Sequence, residues 1–383
     1  MLIAVALGVI FGQFLPDAIA RIFVTFNGLF GNFLTFAIPL IIVGLIIPAI
    51  SDLGKGAGRM LLLTALMAYG FTLFSGFFTF GVCNPIFPAM INAGQGVQEL
   101  GEAQAALTPY FTVDMPPLMN IMTALLIAFC VGLGLAAIEG TVLKQAAEDF
   151  RDIVSLLITN VIVPLLPLHI FGIFLNMTVT GQVVSVMSVF LKIIIIIFIL
   201  HVVLLVVQFV IAGVVGGKNP FALLRNMLPA YFTALGTQSS AATIPVTLQQ
   251  TIKNGVSPNI ATFVIPLCAT IHLSGSTMKI VACSMAVLIM NGMGIDFASY
   301  AGFICMLGIT MVAAPGVPGG AIMAALGVLE GFLGFGEMEQ ALMIALYIAM
   351  DSFGTACNVT GDGAIAVIID TISGKKREKI AEA

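Results

Sequence analysis

Long apolar runs dominate this sequence and restrict what it can fold into. The run 186–215, VMSVFLKIIIIIFILHVVLLVVQFVIAGVV, exceeds the roughly 20 residues with which an α-helix crosses a bilayer. Such runs do not alternate between apolar and polar residues, as the strands of a β-barrel do. Only 8% of the residues are charged, whereas a soluble domain has about 25%. The sequence therefore predicts an all-α polytopic membrane protein.

The apolar runs predict six spans in the first part of the chain, followed by a different pattern. They lie at 1–15, 22–50, 58–83, 117–138, 150–176 and 183–215, with a long loop at about 84–116. The first 15 residues have no basic n-region, so we interpret them as a short first span, clipped on its N-terminal side, and not as a signal peptide. Five short segments hold 11 of the 14 Lys and Arg residues, and the positive-inside rule predicts that they face the cytoplasm.

After residue 215, two apolar segments are each interrupted by small and polar residues. The first, 221–252, is interrupted by GTQSSAAT, and the second, 299–335, by APGVPGG. Non-helical backbone at membrane depth survives only where protein or water satisfies it, and paired interrupted segments mark the central site of many transporters. We therefore predict two re-entrant hairpins, with arms about half a bilayer long and tips that meet near the middle. A long span follows each hairpin, and the HLSGST at 272–277 is where the first of these spans is expected to unwind.

Four polar residues of the last apolar segment share one helical face. Asp351, Thr355, Asn358 and Asp362 follow the spacing i, i+4, i+7 and i+11. Each Asp costs about 2.5–3.5 kcal/mol at the centre of a bilayer, so both need compensation. One interpretation is a site where cations and an amine neutralise the carboxylates. The alternative is a helix–helix contact face in which each Asp pairs with a base from elsewhere in the chain. The candidate bases are Lys192, Lys279, His201 and His272.

Four stretches together resemble the dicarboxylate/amino acid:cation symporter family, which has the glutamate transporter fold. They are GTQSSAATIPVT, IPLCATIHLSGST, PGVPGGAIM and DSFGTACNVTGDG, in the order of the family. The resemblance implies eight transmembrane helices and two re-entrant hairpins in a homotrimer, multi-pass in the plasma (inner) membrane and in contact with lipids. It also implies an elevator mechanism in which a transport domain slides along a scaffold. The scaffold would comprise helices 1 and 2 (1–57) and, after an extracellular loop, helices 4 and 5 (84–182). The transport domain would comprise helix 3 (58–83) and residues 183–383.

The resemblance also implies the roles of individual residues. Asp351 would hold the α-amino group of an amino acid, and Asn358 its α-carboxylate. Further substrate contacts would come from the first hairpin tip, the last helix and the second tip, at Ser239, Ser240, Thr355, Val317 and Gly320. Two sodium ions are expected, and neither an organic cofactor nor a nucleic acid partner. One sodium site would use Asp362 and the carbonyls of Asn358, Cys268 and His272. The other would use carbonyls around Thr270 and from Thr310 to Val312, because hard cations prefer oxygen ligands.

Departures from the family pattern indicate the substrate. Family members with acidic substrates have an arginine where this chain has Gly354, and a second substrate carboxylate would be buried here without a partner. We therefore predict a small neutral amino acid, with serine or threonine favoured because Ser276 and Thr355 offer hydrogen bonds to a hydroxyl. A larger neutral substrate, an acidic one, or proton coupling through His272 remain alternatives. Ser274 replaces the acid of a third sodium site, which we predict to be absent.

The sequence gives no support to an enzyme. Neither H-E-x-x-H nor a Cys/His pattern with metal-ligand spacing occurs, and Ser239 and Ser240 have no neighbouring His in the sequence. Lys279 is expected to pair with a carboxylate or to extend toward the membrane surface, and we assign it no role in transport.

Overall fold

The structure is a computed structural model, and it describes residues 2–52, 59–91, 107–138, 140–179, 181, 183–314 and 319–381. These residues form helices and connecting segments, with no strand among them. Six helical stretches in this part of the chain are long and apolar enough to cross a membrane. They are Asp17–Ser51, Met60–Met90, Val142–Val179, Val189–Gly216, Pro258–Met290 and Asp351–Ser373. The prediction of a polytopic helical membrane protein is confirmed.

The N-terminal half consists of seven α-helices, one of which follows a single π-helical turn. They are α1 (Leu2–Phe11), α2 (Asp17–Asp52), α3 (Arg59–Met90), α4 (Ile121–Ala137), α5 (Val142–Leu157), α6 (Val163–Val179) and α7 (Val183–Gly216). The π-helical turn, Ile158–Ile162, joins α5 to α6. Within this half, α2 packs against α4, α5 and α6, and α1 packs against α6.

Two predicted boundaries in this half are wrong. The third span was predicted to end at residue 83, but α3 continues through Pro85 and Pro88 to Met90. The fifth was predicted to begin at residue 150, but helix begins at Val142, because VLKQAAEDFR is rich in good helix formers and has one apolar face. The described end of the predicted loop, from residue 107, runs along α2, where the Arg21 Nε donates to the Thr108 carbonyl at 2.9 Å.

The C-terminal half consists of two similar four-helix units. The first contains α8 (Pro220–Thr237), α9 (Ser240–Lys253), α10 (Pro258–Ile271) and α11 (Ser274–Met290). The second contains α12 (Phe297–Ala313), α13 (Gly320–Leu333), α14 (Glu337–Ala349) and α15 (Asp351–Ala381). In each unit a helical hairpin precedes a long helix that is broken near its middle.

The hairpins confirm the interrupted pattern but not the predicted arm length. Their arms have 14 to 18 residues, which corresponds to about 21–27 Å at 1.5 Å per residue. The arms are therefore longer than half of the roughly 30 Å hydrocarbon core of a bilayer. Outside the apolar part, Asp296 caps α12, and its hydrogen bonds with Ser299 hold the pKa of its carboxyl below the usual value.

Both long helices break at a residue that leaves helical geometry. In the first unit, His272 and Leu273 have ψ values of 102° and 46°, which separates α10 from α11. This confirms the break predicted at HLSGST. In the second unit, Met350 has φ −115° and ψ 14° and separates α14 from α15, and we did not predict this break. Asp351 therefore lies at the first residue of a new helix.

Around these breaks, α15 packs against α7, α8, α9, α10 and α11, and α3 packs against α11. The hydroxyl of Ser75 on α3 donates to the carbonyl of Ser274 at the first residue of α11, at 2.6 Å. The hairpin α12–α13 packs against both α2 and α4. The two halves of the chain therefore meet along α12–α13 on one side and α2 and α4 on the other.

Candidate functional site

A nearly closed cavity of about 30 Å³ lies where both hairpins and both helix breaks converge. It is lined by Gln238, Ser240, Ala269, Thr270, Leu273, Ser276, Ala314, Ala321, Tyr347, Asp351, Thr355 and Asn358. None of these lining residues is Lys or Arg, and most of the polar ones are hydroxyl or amide side chains. The cavity is much smaller than the several hundred Å³ of a typical small-molecule pocket. An amino acid can occupy it only if the surrounding elements move apart.

The first hairpin brings Ser240 into the lining because of an unusual backbone position. Gln238 ends α8 in the left-handed region at φ +53°, the only described non-glycine residue with positive φ. Ser239 then caps α9, and its side chain accepts a hydrogen bond from the Ala242 backbone N–H at 3.3 Å. Ser240 begins α9 and is buried. The chain thus turns within two residues and directs the start of α9 at the cavity.

The break before α11 exposes backbone N–H groups that α15 satisfies. The first N–H groups of a helix have no partner within the helix. Here the Asn358 Oδ1 accepts from the Gly275 N–H at 2.8 Å and from the Ser276 N–H at 3.3 Å. The Asn358 Nδ2 donates to the Ser276 Oγ at 3.1 Å, and the Tyr347 hydroxyl donates to the same oxygen at 2.9 Å. Asn358 is therefore held rigidly, and its amide is turned toward α11.

Asp351 has a partner on each carboxylate oxygen. Its Oδ2 accepts from the Gly319 backbone N–H at 2.8 Å, immediately before α13 begins. Its Oδ1 lies 3.3 Å from the Nζ of Lys279, whose side chain is fully buried. The side chain of Asp351 is 8% exposed, and the hydroxyl of Thr355 donates to its backbone carbonyl at 3.0 Å. Asp351 thus joins the second hairpin, α11 and α15 at one point.

Asp362 forms a second buried contact, almost three turns further along α15. Its Oδ1 lies 2.8 Å from the Nδ1 of His272, and both side chains are at most 1% exposed. The Nε2 of His272 has no hydrogen-bond partner. Nearby, Ser274 accepts at its hydroxyl from the Gln208 amide at 3.1 Å. The helix break thus places a side chain, and not only a carbonyl, of His272 at Asp362.

The structure brings most of the predicted substrate residues to one place. Ser240, Ser276, Asp351, Thr355 and Asn358 line the cavity. Ser239 serves as a helix cap beside it, and Gly320 lies one residue after the contact that Gly319 makes with Asp351. Val317 lies outside the described residues. These roles in binding stay predictions, because the structure shows positions and contacts within the chain.

Gly354 differs from its interpretation. We expected that the absence of an arginine would leave free room, but a Cβ at this position would lie 2.5 Å from the Nζ of Lys279. The Lys279 side chain therefore already lies against Gly354, and that position does not enlarge the cavity.

The predicted sodium residues divide into two groups. Cys268, His272, Asn358 and Asp362 surround the break between α10 and α11, with the Cys268 carbonyl accepting from the His272 N–H at 2.8 Å. Thr270 lines the cavity, but the Thr310 hydroxyl donates to Met306 in its own helix at 2.9 Å. The side chain of Val312 lines a separate apolar cavity between α3, α12 and the helices α2 and α4. Any ion contact of Thr310 and Val312 would therefore use backbone carbonyls, as the resemblance implies.

Two residues of the site were missed or left without a role. Tyr347 lies four residues before Asp351, so the i, i+4 spacing extended the polar face to it. Lys279 was considered only as a general partner for a carboxylate. No spacing in the sequence indicated that it lies over the Tyr347 ring, with its Nζ 3.6 Å from the ring centroid.

The two carboxylates also differ from the preferred interpretation. We expected cargo to supply their positive charge, and the structure instead gives each a basic partner within the chain, Lys279 for Asp351 and His272 for Asp362. This arrangement matches the alternative in which bases from the chain compensate the carboxylates. A cation or amine that binds here must share these oxygens with the chain or displace it from them.

Comparison with known proteins points to one family over almost the whole chain. A sequence profile described as the Sodium:dicarboxylate symporter family matches residues 1–372. The Serine/threonine transporter SstT of Streptococcus thermophilus (strain CNRZ 1066) is 28% identical over 333 residues, covering 83% of this chain and 82% of that protein. The protein of the same name from Streptococcus suis (strain 05ZYH33) is 27% identical over 330 residues, covering 84% and 91%. The human Excitatory amino acid transporter 2 is 30% identical over 168 residues, which is 44% of this chain and 29% of that protein.

Proposed function

The chain belongs to the sodium:dicarboxylate symporter family, and we propose that it is a sodium-coupled symporter for a small neutral amino acid, with serine and threonine favoured. It is a multi-pass membrane transporter and not an enzyme. The similar proteins named SstT are serine/threonine transporters. Their substrates are extended to this chain as part of the proposal, because the cavity has matching chemistry.

One observation supports the amino acid most strongly. A carboxylate, Asp351, and an amide, Asn358, line the same cavity from positions two turns apart on α15. The carboxylate is suited to an ammonium group, and the amide to a carboxylate group. A zwitterion placed between them would satisfy both ends with charge-assisted hydrogen bonds. Ser240, at the start of α9, adds a hydroxyl beside the end that would hold the substrate carboxylate.

The remaining lining favours a small hydroxylated side chain over an acidic one. The hydroxyls of Ser276, Thr270 and Tyr347 line the cavity with the small side chains of Ala269 and Ala321. No basic side chain is among the lining residues, so a second substrate carboxylate would be buried without a counter-charge at a cost of several kcal/mol. Apolar side chains larger than threonine would leave these hydroxyls unsatisfied.

Sodium is proposed as a co-transported substrate that enters near Asp362. A carboxylate and the carbonyls of a broken helix supply the oxygen ligands that hard cations prefer. The break between α10 and α11 lies beside Asp362, and residues around Thr270 are proposed for a second ion. We propose two ions and no third, because Ser274 stands in place of an acid.

The transport movement is proposed to follow the elevator mechanism within a homotrimer in the plasma (inner) membrane. The scaffold would contain α1, α2, α4, α5 and α6, and the transport domain α3 and α7 to α15. The packing of α3 against α11, and of α15 against α7 to α11, supports this division. The contact surface between α2 and α12–α13 would then be the surface that slides.

The test is uptake of labelled serine by purified protein in liposomes. An inward Na⁺ gradient should cause accumulation, and equal Na⁺ on both sides should not. A panel of unlabelled amino acids should show competition by threonine and serine, and little by glutamate, aspartate or C4-dicarboxylates. Uptake that ignores Na⁺ and follows a pH gradient would reassign the coupling ion. Competition by leucine or glutamate alone would refute the proposed substrate.

A further inference from the structure

We propose that Lys279 is a tethered counter-ion of Asp351, which neutralises this carboxylate whenever no substrate ammonium is bound to it. This inference rests on the proposed function, in which Asp351 receives the α-amino group. It assigns a role in the transport cycle to a lysine that does not line the cavity. Lys279 would thus act on the substrate through Asp351 and not by contact.

The surroundings of the Lys279 ammonium are those of a cation site. Its Nζ lies 3.3 Å from the Asp351 Oδ1 and 3.3 Å from the Met350 carbonyl, which the helix break exposes. The Tyr347 ring lies beneath it at 3.6 Å, a cation–π distance. A carboxylate, a carbonyl and an aromatic face therefore hold one fully buried ammonium.

Gly354 provides the space for this side chain. An added Cβ would lie 2.5 Å from the Nζ and 3.2 Å from the Cδ of Lys279, and real Cβ atoms are not found so close to other atoms. Any residue other than glycine at position 354 must therefore push the ammonium away from Asp351. Gly354 and Lys279, which lie on different helices, thus form one unit.

The same carboxylate links this counter-ion to the second hairpin. The Oδ2 of Asp351 accepts from the Gly319 N–H at 2.8 Å, while the Oδ1 faces Lys279. A buried carboxylate without any cation is costly, by several kcal/mol. With Lys279 in place, Asp351 can keep its contact with Gly319 whether or not a substrate ammonium is present. The carrier can then return without substrate, which net uptake requires and exchange of substrate for substrate does not.

The competition for Asp351 also predicts an effect on affinity. A substrate ammonium must share the Asp351 carboxylate with Lys279, so removing the lysine charge should tighten substrate binding. It should at the same time impede the substrate-free return. The two effects have opposite signs for the two modes of transport, and a merely structural lysine would not separate them.

The experiment compares net uptake with exchange in proteoliposomes that contain wild type, Lys279→Met, Gly354→Ala or, as control, Lys192→Met. Lys192 is a lysine on α7 whose Nζ contacts the Met90 carbonyl outside the site. Na⁺-driven net uptake of labelled serine is measured into vesicles without serine, and exchange is measured with serine and Na⁺ on both sides. Both test variants should lose at least about tenfold in net uptake relative to exchange and bind serine more tightly, since a tenfold change in affinity corresponds to 1.4 kcal/mol. Lys192→Met should match the wild type in both modes.

Thermal shifts keep the test decisive if a variant transports too little to be measured. Serine should raise the melting temperature of Lys279→Met more than that of the wild type, because only the substrate can then neutralise Asp351. Asp351→Asn in the Lys279→Met background should recover stability. A ratio of net uptake to exchange equal to that of the wild type in both variants, or no gain in serine stabilisation, would overturn the proposal. Wild type without any serine uptake would instead overturn the proposed function.

Discussion

The close approach of α11 to α15 at Gly275 allows a quantitative prediction for Gly275→Ala. A Cβ on Gly275 would lie 2.6 Å from the Cβ of Cys357 and 2.7 Å from the carbonyl oxygen of Gly354. Neither atom is the end of a flexible side chain, so the two helices themselves must separate. The Gly275 N–H also donates to the Asn358 Oδ1 at 2.8 Å, and separation lengthens this bond.

The magnitude follows from three contributions. Overpacking of a close contact costs about 1–3 kcal/mol, and weakening a buried hydrogen bond costs about 1 kcal/mol. Alanine in place of glycine in a helix returns at most about 1 kcal/mol. We therefore expect Gly275→Ala to lower the free energy of unfolding by about 1–3 kcal/mol. We also expect weaker serine binding, because Asn358 loses the contact that orients it.

The assay is thermal denaturation of the detergent-solubilised protein, followed by the fraction that remains dispersed, with and without serine. Gly134→Ala is the matched control: Gly134 lies in α4 with no atom within 4 Å of the added Cβ, so it should be neutral or stabilising by up to about 1 kcal/mol. Gly275→Ala should melt several degrees below this control. Equal melting temperatures and equal serine affinity for the two variants would refute the packing that places Asn358 against α11.

Two further substitutions test the two ends of the polar face. Asp362→Asn should raise the Na⁺ concentration for half-maximal serine uptake at least about tenfold, because a neutral amide is a poorer ligand than a carboxylate for a hard cation; an unchanged Na⁺ dependence would remove Asp362 from the ion site. Tyr347→Phe removes the donor to the Ser276 hydroxyl, at 2.9 Å in the wild type, but keeps the ring beside Lys279. It should raise the KM for serine about two- to tenfold, the value of one hydrogen bond, with the ratio of net uptake to exchange unchanged; a change in that ratio would show that the hydroxyl acts on Lys279.

Much of the fold could be predicted because apolar length and interruption are local properties of a sequence. The runs at α2 and α7 are too long and too apolar for any other environment than a membrane, and GTQSSAAT and APGVPGG interrupt two segments that are otherwise helical. Helix ends were predicted less well. The helix α3 continues through Pro85 and Pro88, where proline alone would predict an end, because tertiary packing outweighs such local preferences.

The candidate site was predictable where it follows one helix and unpredictable where it depends on contacts between helices. Asp351, Thr355, Asn358 and Asp362 share a face by spacing alone. The contact between Lys279 and Asp351 joins residues 72 positions apart and requires the gap at Gly354. The break at Met350 also has no glycine or proline to announce it, since the segment YIAMDSF has ordinary helix-forming residues.

The short connection between α2 and α3 limits how far a moving part of this protein can travel. The hydrogen bond of Ser75 to Ser274 and the packing on α11 bind α3 to the C-terminal half, whereas α2 packs with α4, α5 and α6. Yet α2 ends at Asp52 and α3 begins at Arg59, so seven peptide steps are the whole tether. Fully extended, they reach about 25 Å at 3.6 Å per residue. Any larger separation of these two helix ends would have to unwind one of them, so chain length alone sets an upper limit on the stroke.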